Sequence, residues 1–395
     1  MSPKRQTIQV IVFTVIRIAL NTVTRMVYPF LPAFARGIGV DLQSVAYALS
    51  VRSAAGSMGP LLASYAESRG RRTGMLMGLI MFAAGCGLVA LYPSYTTFVL
   101  ALILTLSGNF VYLSSMQAYL GDRIPYERRG LVLAITEIGW SLSFIFGVPL
   151  VGGLISQRGW SAPFTVLFGL GILAIIGIAV LVPRGQTGNL ERIGILGSLK
   201  TVLTNPVALL AMAGGMSFSL ANEVVNLVFG VWMEEAFNLR LASLGYIAAV
   251  IGFSELGGEV LVAMFVDRIG KTRAVTIGLV INSLAALALA WLGRSTVGAA
   301  VGLFLFYISF EFTLVSLIPL MSEILPAARA TLLATNVSAT ALGRALGALI
   351  ALPLFRWGEA SGVLPGILAC GLVSVLFNSL ALGIFSRLKR HISHL

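Results

Sequence analysis

Charge is scarce in this chain: only 11% of its 395 residues are Asp, Glu, Lys or Arg, against roughly 25% in soluble domains. Histidine is scarcer still. His391 and His394 are the only two, and both lie at the C-terminus, which excludes His-based metal sites and His general bases from the rest of the chain. Cys86 and Cys370 are the only cysteines. Each sits inside an apolar run, so they imply neither a disulfide framework nor a metal site. No cofactor and no metal are expected. The net charge is +12, yet no stripe of basic and aromatic residues and no nucleic-acid motif accompanies it, so no nucleic-acid partner is expected either.

What the chain has in excess is apolar surface. Hydrophobic residues make up 57% and the mean hydropathy is +0.94. A soluble core cannot absorb that much, so the lipid bilayer must solvate part of it. The 43 glycines suit helices that pack closely within a membrane. A spanning helix needs about 20 apolar residues. Twelve stretches qualify, at about 8–31, 43–66, 73–92, 97–121, 131–154, 164–183, 207–232, 243–265, 274–293, 298–321, 332–354 and 363–386. The first follows Lys4 and Arg5, and Ala33-Phe34-Ala35 resembles a signal cleavage site. The run is longer than the roughly 7–15 residues of a signal core, so it reads as a retained first span. The longest link, 185–206, divides an N-terminal six-helix bundle (1–184) from a C-terminal one (207–395). Of the 27 Lys and Arg residues, 18 fall on the side of the N-terminus and five (Arg36, Arg158, Arg240, Arg294 and Arg356) on the other. That bias places both termini in the cytoplasm of a multi-pass protein of the plasma or inner membrane. A monomer is expected.

The two halves repeat one another. Glu67-Ser68-Arg69-Gly70-Arg71-Arg72 follows the second span, and Asp267-Arg268-Ile269-Gly270-Lys271-Thr272-Arg273 the eighth, at a shift of 200. Asp122-Arg123-Ile124-Pro125 with Arg128 follows the fourth, and Glu323-Ile324-Leu325-Pro326 with Arg329 the tenth, at a shift of 201. Each unit has six spans, so the repeat is parallel, about an axis along the membrane normal. In these loops a carboxylate at a helix end can pair with a cation across the gap between helices or cap a neighbouring helix, and the glycine permits a tight turn. Alternatively, the loops are a positive-inside signal and no more.

These residues resemble a known family, the major facilitator superfamily of transporters. Its loop after helix two reads roughly G-x-x-x-D-R-x-G-R-R. Asp267-Arg268-Ile269-Gly270-Lys271 fits, whereas the first copy has Glu67 for Asp, Ser68 for Arg and Ala63 for the leading Gly. Gly147-Val148-Pro149-Leu150-Val151-Gly152-Gly153 is similar to the G-P-x-x-G-G of the family's drug/proton antiporters, with one residue inserted. Pro29-Phe30-Leu31-Pro32 is similar to the P-x-x-P that closes helix one in twelve-helix exporters. The resemblance implies an all-α protein of two six-helix pseudo-symmetric bundles and proton-coupled export of small organic compounds by alternating access. It also implies that the loops gate the cytoplasmic face and that Gly147, Pro149, Gly152 and Gly153 form a hinge. Gly-rich close packing is the plainer alternative for those four.

Charges at bilayer depth are the most informative candidates, because each costs roughly 2.5–3.5 kcal/mol on insertion scales. Arg17, Asn21 and Arg25 recur every fourth residue on one helix face, and Arg52 lies in the next span. Glu137 lies in the fifth span, Asn222, Glu223 and Asn226 in the seventh, Glu255 and Glu259 in the eighth, Glu311 in the tenth and Arg344 in the eleventh. Burial disfavours a charged carboxylate, which suits the glutamates to carrying protons as the coupling ion. Glu223, Glu255 and Glu311 come first, then Glu259 and Glu137. The arginines and asparagines suit a small-molecule substrate or ion pairs that switch partner. Structural ion pairs between helices are the plain alternative for each. Tyr112, Trp140, Phe229, Trp232 and Tyr307 receive no role. Uptake or exchange of an organic anion held by Arg17, Arg25 and Arg52, a lipid flippase and, remotely, a membrane-embedded transferase are the other readings. The last would need a nucleophile, a metal cluster or a His/Asp pair at membrane depth, and the spans hold no histidine and no acids at metal-ligand spacing.

Overall fold

The computed structural model describes residues 3–67, 69–183, 195–325 and 328–392. Every regular element among them is helical: α1 (Pro3–Arg25), α2 (Leu31–Ile38), α3 (Leu42–Gly56), α4 (Gly59–Glu67), α5 (Arg71–Leu91), α6 (Tyr95–Arg123), α7 (Tyr126–Glu137), α8 (Gly139–Leu142), a π-helical turn at Ser143–Gly147, α9 (Val148–Arg158), α10 (Ala162–Leu181), α11 (Ile195–Thr204), α12 (Pro206–Phe237), α13 (Leu241–Ile269), α14 (Lys271–Leu292), α15 (Thr296–Ile324), α16 (Arg329–Ser361) and α17 (Gly366–Ile392). Eleven helical runs among the described residues are long and apolar enough to cross a membrane. The second expected span is the twelfth, and it is broken in two.

Glycine and proline explain the break. Pro60 has no N–H to donate, and its ring would clash with the Gly56 carbonyl in a continuous helix. The chain turns at Ser57 and Met58 and restarts as α4. The Ser57 carbonyl accepts a 2.6 Å hydrogen bond from the Ser338 hydroxyl of α16, so the break leaves it partnered where lipid would offer nothing. The first span stops earlier than expected, at Arg25. Residues 26–30 form buried turns, and α2 then begins with a proline in its first turn.

The fifth span is a jointed run. Proline in a helix displaces the bond to the fourth preceding carbonyl. The strand of hydrogen bonds shifts register ahead of Pro149, and Val148 N–H reaches back to the Ser143 carbonyl in a π-turn. Such turns are inserted residues that bend a helix locally. Of the motif glycines, Gly147 sits against Thr22, and Gly152 lies between the Phe30 ring and the Leu241 carbonyl. Gly153 faces open space, so the close-packing requirement falls on two of the three. Pro319 and Pro353, by contrast, lie within unbroken α15 and α16.

The chain divides into two compact units. The first holds Met1–Asp41, Met58–Glu191 and Leu241–Gly252; the second holds Leu42–Ser57, Arg192–Arg240 and Phe253–Leu395. In the first, α5 packs on α6 and α10, and α1 packs on α6, α10 and the segments from α7 to the π-turn. The start of α13 joins it through Gly245 against Pro149 and Gly252 against Ser141 and Ile145. Phe34, Phe98, Trp160 and Phe164 form an edge-on aromatic cluster there. In the second, α12 packs on α16 and α17, α14 on α15 and α17, and α3 on α16. Phe218 stacks on Phe310 at 4.8 Å. Asn282, fully buried, donates to the Phe306 carbonyl (2.8 Å) and to Ser309, and accepts from Asn378, tying α14, α15 and α17 together. Residues 185–194 of the expected link lie outside the described residues. The rest of it carries α11, which packs on α12 and α16.

Gly152→Leu should destabilise the detergent-solubilised protein by about 1–3 kcal/mol through overpacking, whereas Gly153→Ala should be neutral or slightly stabilising, as thermal unfolding would show.

Candidate functional site

The repeat seen in the sequence recurs as geometry inside each unit. Gly70 and Gly270 precede α5 and α14 with nearly the same backbone, φ 99°, ψ 147° and φ 88°, ψ 139°. Only glycine adopts that region readily. Arg71, which opens α5, pairs with Asp122 at the end of α6 at 3.1 Å. Lys271, which opens α14, pairs with Glu323 at the end of α15. Ser94 caps α6 and Ser295 caps α15, each with its side-chain oxygen. The carboxylates in these pairs come from the second motif. Asp267 and Arg268 are exposed and make no ion pair among the described residues, and the Glu67 side chain lies outside them. Arg329 donates to the Ser322 carbonyl at 2.8 Å, at the end of α15. Arg128 is exposed.

At membrane depth the first unit holds a polar group centred on α1. Arg17, 3% exposed, pairs with Glu137 at 2.6 Å, while the Glu137 side chain is 42% exposed. Gly139 eases this approach: a Cβ there would stand 3.0 Å from the Arg17 Cβ, a contact the neighbours could absorb only by shifting a few tenths of an ångström. Gln117 of α6 donates to the same carboxylate at 2.9 Å. One turn along α1, Asn21 accepts from Asn109 of α6 at 3.1 Å. Arg25 sits apart from them. Its guanidinium lies over Trp140 and Phe144, 4.2 and 3.5 Å from the ring centroids, and donates to the Trp140 carbonyl. Cation–π contacts of this kind are worth about 2 kcal/mol or more where water is excluded.

The second unit holds the acids. Glu223, Glu255 and Glu311 are 0%, 2% and 4% exposed, each near the middle of a long helix. Asn226 donates to Glu223 at 3.2 Å, and the Tyr307 hydroxyl donates to Asn226 at 2.6 Å. This short chain joins α12 and α15. Gly347 of α16 lets Glu223 lie against it, and Gly258 of α13 does the same for Glu311, with hypothetical Cβ distances of 2.7 and 2.8 Å. Glu255 and Glu259 flank Gly258, and Glu259 is half-buried. Asn222 is buried beside Glu223, and Arg344 is half-buried on α16. Arg52, 3% exposed, belongs to this unit, not with Arg17 and Arg25.

Sequence reasoning missed Asn109, Gln117 and the role of Tyr307. The fourth span carries no charge at depth, so its amides drew no notice. A polar residue in an apolar run was the available signal. The first unit also has a groove of about 460 Å³ walled by α1, α5, α9 and α10, with Ile11, Val15, Leu150 and Leu173 on its rim. Its walls are apolar apart from Thr22.

A family model described as Major Facilitator Superfamily matches residues 13–348. The chain belongs to the Major Facilitator Superfamily. It is 31% identical over 137 residues to the MFS-type transporter YwfA of Bacillus subtilis, covering 34% of this chain and 33% of that protein. It is 23% identical over 264 residues to the multi-drug resistance efflux pump PmrA of Streptococcus pneumoniae, covering 64% of this chain and 65% of PmrA. The chain thus matches about a third of YwfA and just under two thirds of PmrA. Among solved structures, an inward-facing bacterial homologue of the human lysosomal transporter Spinster superposes with a TM-score of 0.77 at 15% identity, over 99% of this chain and 98% of that one. As a superfamily member with eleven helical runs long and apolar enough to cross a membrane among the described residues, the chain is a multi-pass membrane protein.

The Arg71–Asp122 and Lys271–Glu323 pairs are half-exposed, so double-mutant cycles on thermal stability should give each a coupling of only about 0.2–1 kcal/mol. Similar values for the two pairs would match their shared geometry.

Proposed function

We propose that the protein exports small amphipathic organic compounds by alternating access, driven by protons moving the other way. The observation that carries this reading is the set of three glutamates, Glu223, Glu255 and Glu311, held at 4% exposure or less near the midpoints of long apolar helices. Ionisable side chains so placed are costly, and in transporters they mark substrate and proton routes. The Glu223–Asn226–Tyr307 chain gives one of these carboxylates a directed hydrogen bond, and Glu259 extends the acidic face of α13. Glu137, already paired with Arg17 and partly exposed, is the weaker proton candidate. Kinship with an efflux pump supports the direction of transport. The Lys/Arg bias puts both termini on the cytoplasmic side, and with them the ends of α6 and α15, where the repeated ion pairs form gates. The π-turn before Pro149 is the hinge of the fifth span.

The test is flux in proteoliposomes with an imposed pH gradient, using fluorescent amphipaths of positive, zero and negative charge. Transport should accelerate with the gradient and collapse to the unstimulated rate when a protonophore is added. Replacing Glu223, Glu255 or Glu311 by Gln, one at a time, should abolish the gradient response in at least one variant while the protein still folds. Flux indifferent to the gradient in the unmodified protein rules out proton coupling.

A further inference from the structure

The pair formed by Arg17 and Glu137 is lopsided, and its asymmetry points to a ligand. Arg17 is 3% exposed, whereas its partner carboxylate is 42% exposed. Glu137 can leave: Gln117 still donates to it at 2.9 Å, and protein leaves 42% of its side chain uncovered. Arg17 cannot follow into water. A guanidinium that stays buried without an anion is strongly disfavoured, so when Glu137 withdraws, another anion must take its place.

The groups around Arg17 are set to receive one. Among the described residues the Arg17 Nε has no acceptor, and neither does the Asn21 amide nitrogen one turn away on the same face. Asn21 is 1% exposed. Its carbonyl is already occupied by Asn109, whose own carbonyl oxygen in turn has no donor. Whichever way round the two amides lie, the pair presents one spare N–H group and one spare carbonyl. Tyr112, one turn along α6 from Asn109, adds a fully buried hydroxyl that is also without a partner among the described residues. Buried polar groups are nearly always hydrogen-bonded in native proteins. A cluster with unmet donors around a fixed positive charge therefore fits a planar anion that can bond two donors at once, as a carboxylate does on a guanidinium. The apolar flanks of α1 suit a greasy body behind such a headgroup.

We propose that Arg17, Asn21 and Asn109 form a binding subsite for the carboxylate of an amphipathic organic acid, which displaces Glu137 from Arg17. The spare Asn109 or Asn21 carbonyl takes a hydroxyl or amino group next to that carboxylate. This deepens the transport reading and rests on it, since it names the substrate class. Arg25 has no part in the subsite, since it is held against Trp140 and Phe144.

The experiment is equilibrium binding to the full-length protein in detergent with three probes of equal body, namely 2-naphthoate, 2-naphthylmethanol and 2-naphthylmethylamine. The carboxylate should bind at least about tenfold tighter than the alcohol, the scale of a charge-assisted hydrogen bond. Arg17→Gln and Asn21→Leu should each erase most of that preference. Glu137→Gln should keep it or strengthen it, because the competing carboxylate is gone. Asn21→Leu removes no charge and carries the test if Arg17→Gln does not fold. The proposal is overturned if the unmodified protein shows no preference for the carboxylate, if Asn21→Leu leaves the preference intact, or if Glu137→Gln weakens carboxylate binding. Binding in detergent needs no gradient, so the two readings fail separately. Carboxylate preference without proton-driven flux sinks the coupling alone, and proton-driven flux of the other two probes without carboxylate preference sinks the subsite alone.

Discussion

Hydrocarbon offers a polar group nothing to bond to, and the rest of this structure depends on that constraint. It forces the backbone into helices whose bonds close on themselves. Each interruption of a helix must find an internal partner. The break at Ser57 finds one in the Ser338 hydroxyl. The register shift before Pro149 finds one through the π-turn to Ser143. Asn282 shows the same rule for side chains, since its buried amide donates to α15 and accepts from Asn378 of α17, holding three helices of the second unit together.

The same constraint sorts the charges. Near the ends of the helices, ion pairs are cheap and weak, and Arg71–Asp122 and Lys271–Glu323 are of that kind. At depth every charge needs a specific arrangement, and the arrangements differ. Arg25 is served by aromatic faces and a carbonyl, Glu223 by an amide and a phenol at one remove, and Arg17 by a carboxylate that protein only partly covers. The last is the least settled of the three, which is why it is the natural place for a ligand to intervene. A fixed binding group needs a poised alternative in the unliganded protein, because a buried guanidinium does not tolerate being left alone.

The internal repeat shows how a transporter of this superfamily keeps one scaffold while its two halves take different chemistry. Glycine φ angles, helix caps and the terminal ion pairs correspond at a shift of 200 or 201 residues. The candidate site side chains do not correspond. The first unit carries the paired Arg17, its amides and the apolar groove, and the second carries the acids. Duplication preserves what the backbone requires, and mid-helix polar positions are free to diverge because each need only satisfy its own neighbours.

Much of this was legible in the sequence. Apolar run length fixes helix number, since the bilayer sets the span. Matching acid, glycine and base at a constant offset reveals the repeat, because loop turns and helix ends depend on local residues. Mid-span charges identify the candidate residues, because their cost is intrinsic to the residue and its depth. Partnership was not legible. That Arg17 meets Glu137, that Asn21 meets Asn109, that Arg25 rests on Trp140, and that Arg71 meets Asp122, all depend on which helix faces lie together. So does the difference between Gly152, which another backbone approaches, and Gly153, which nothing approaches. One-dimensional periodicity gives each helix a face but not its neighbour, and a side chain's bond is decided by the neighbour.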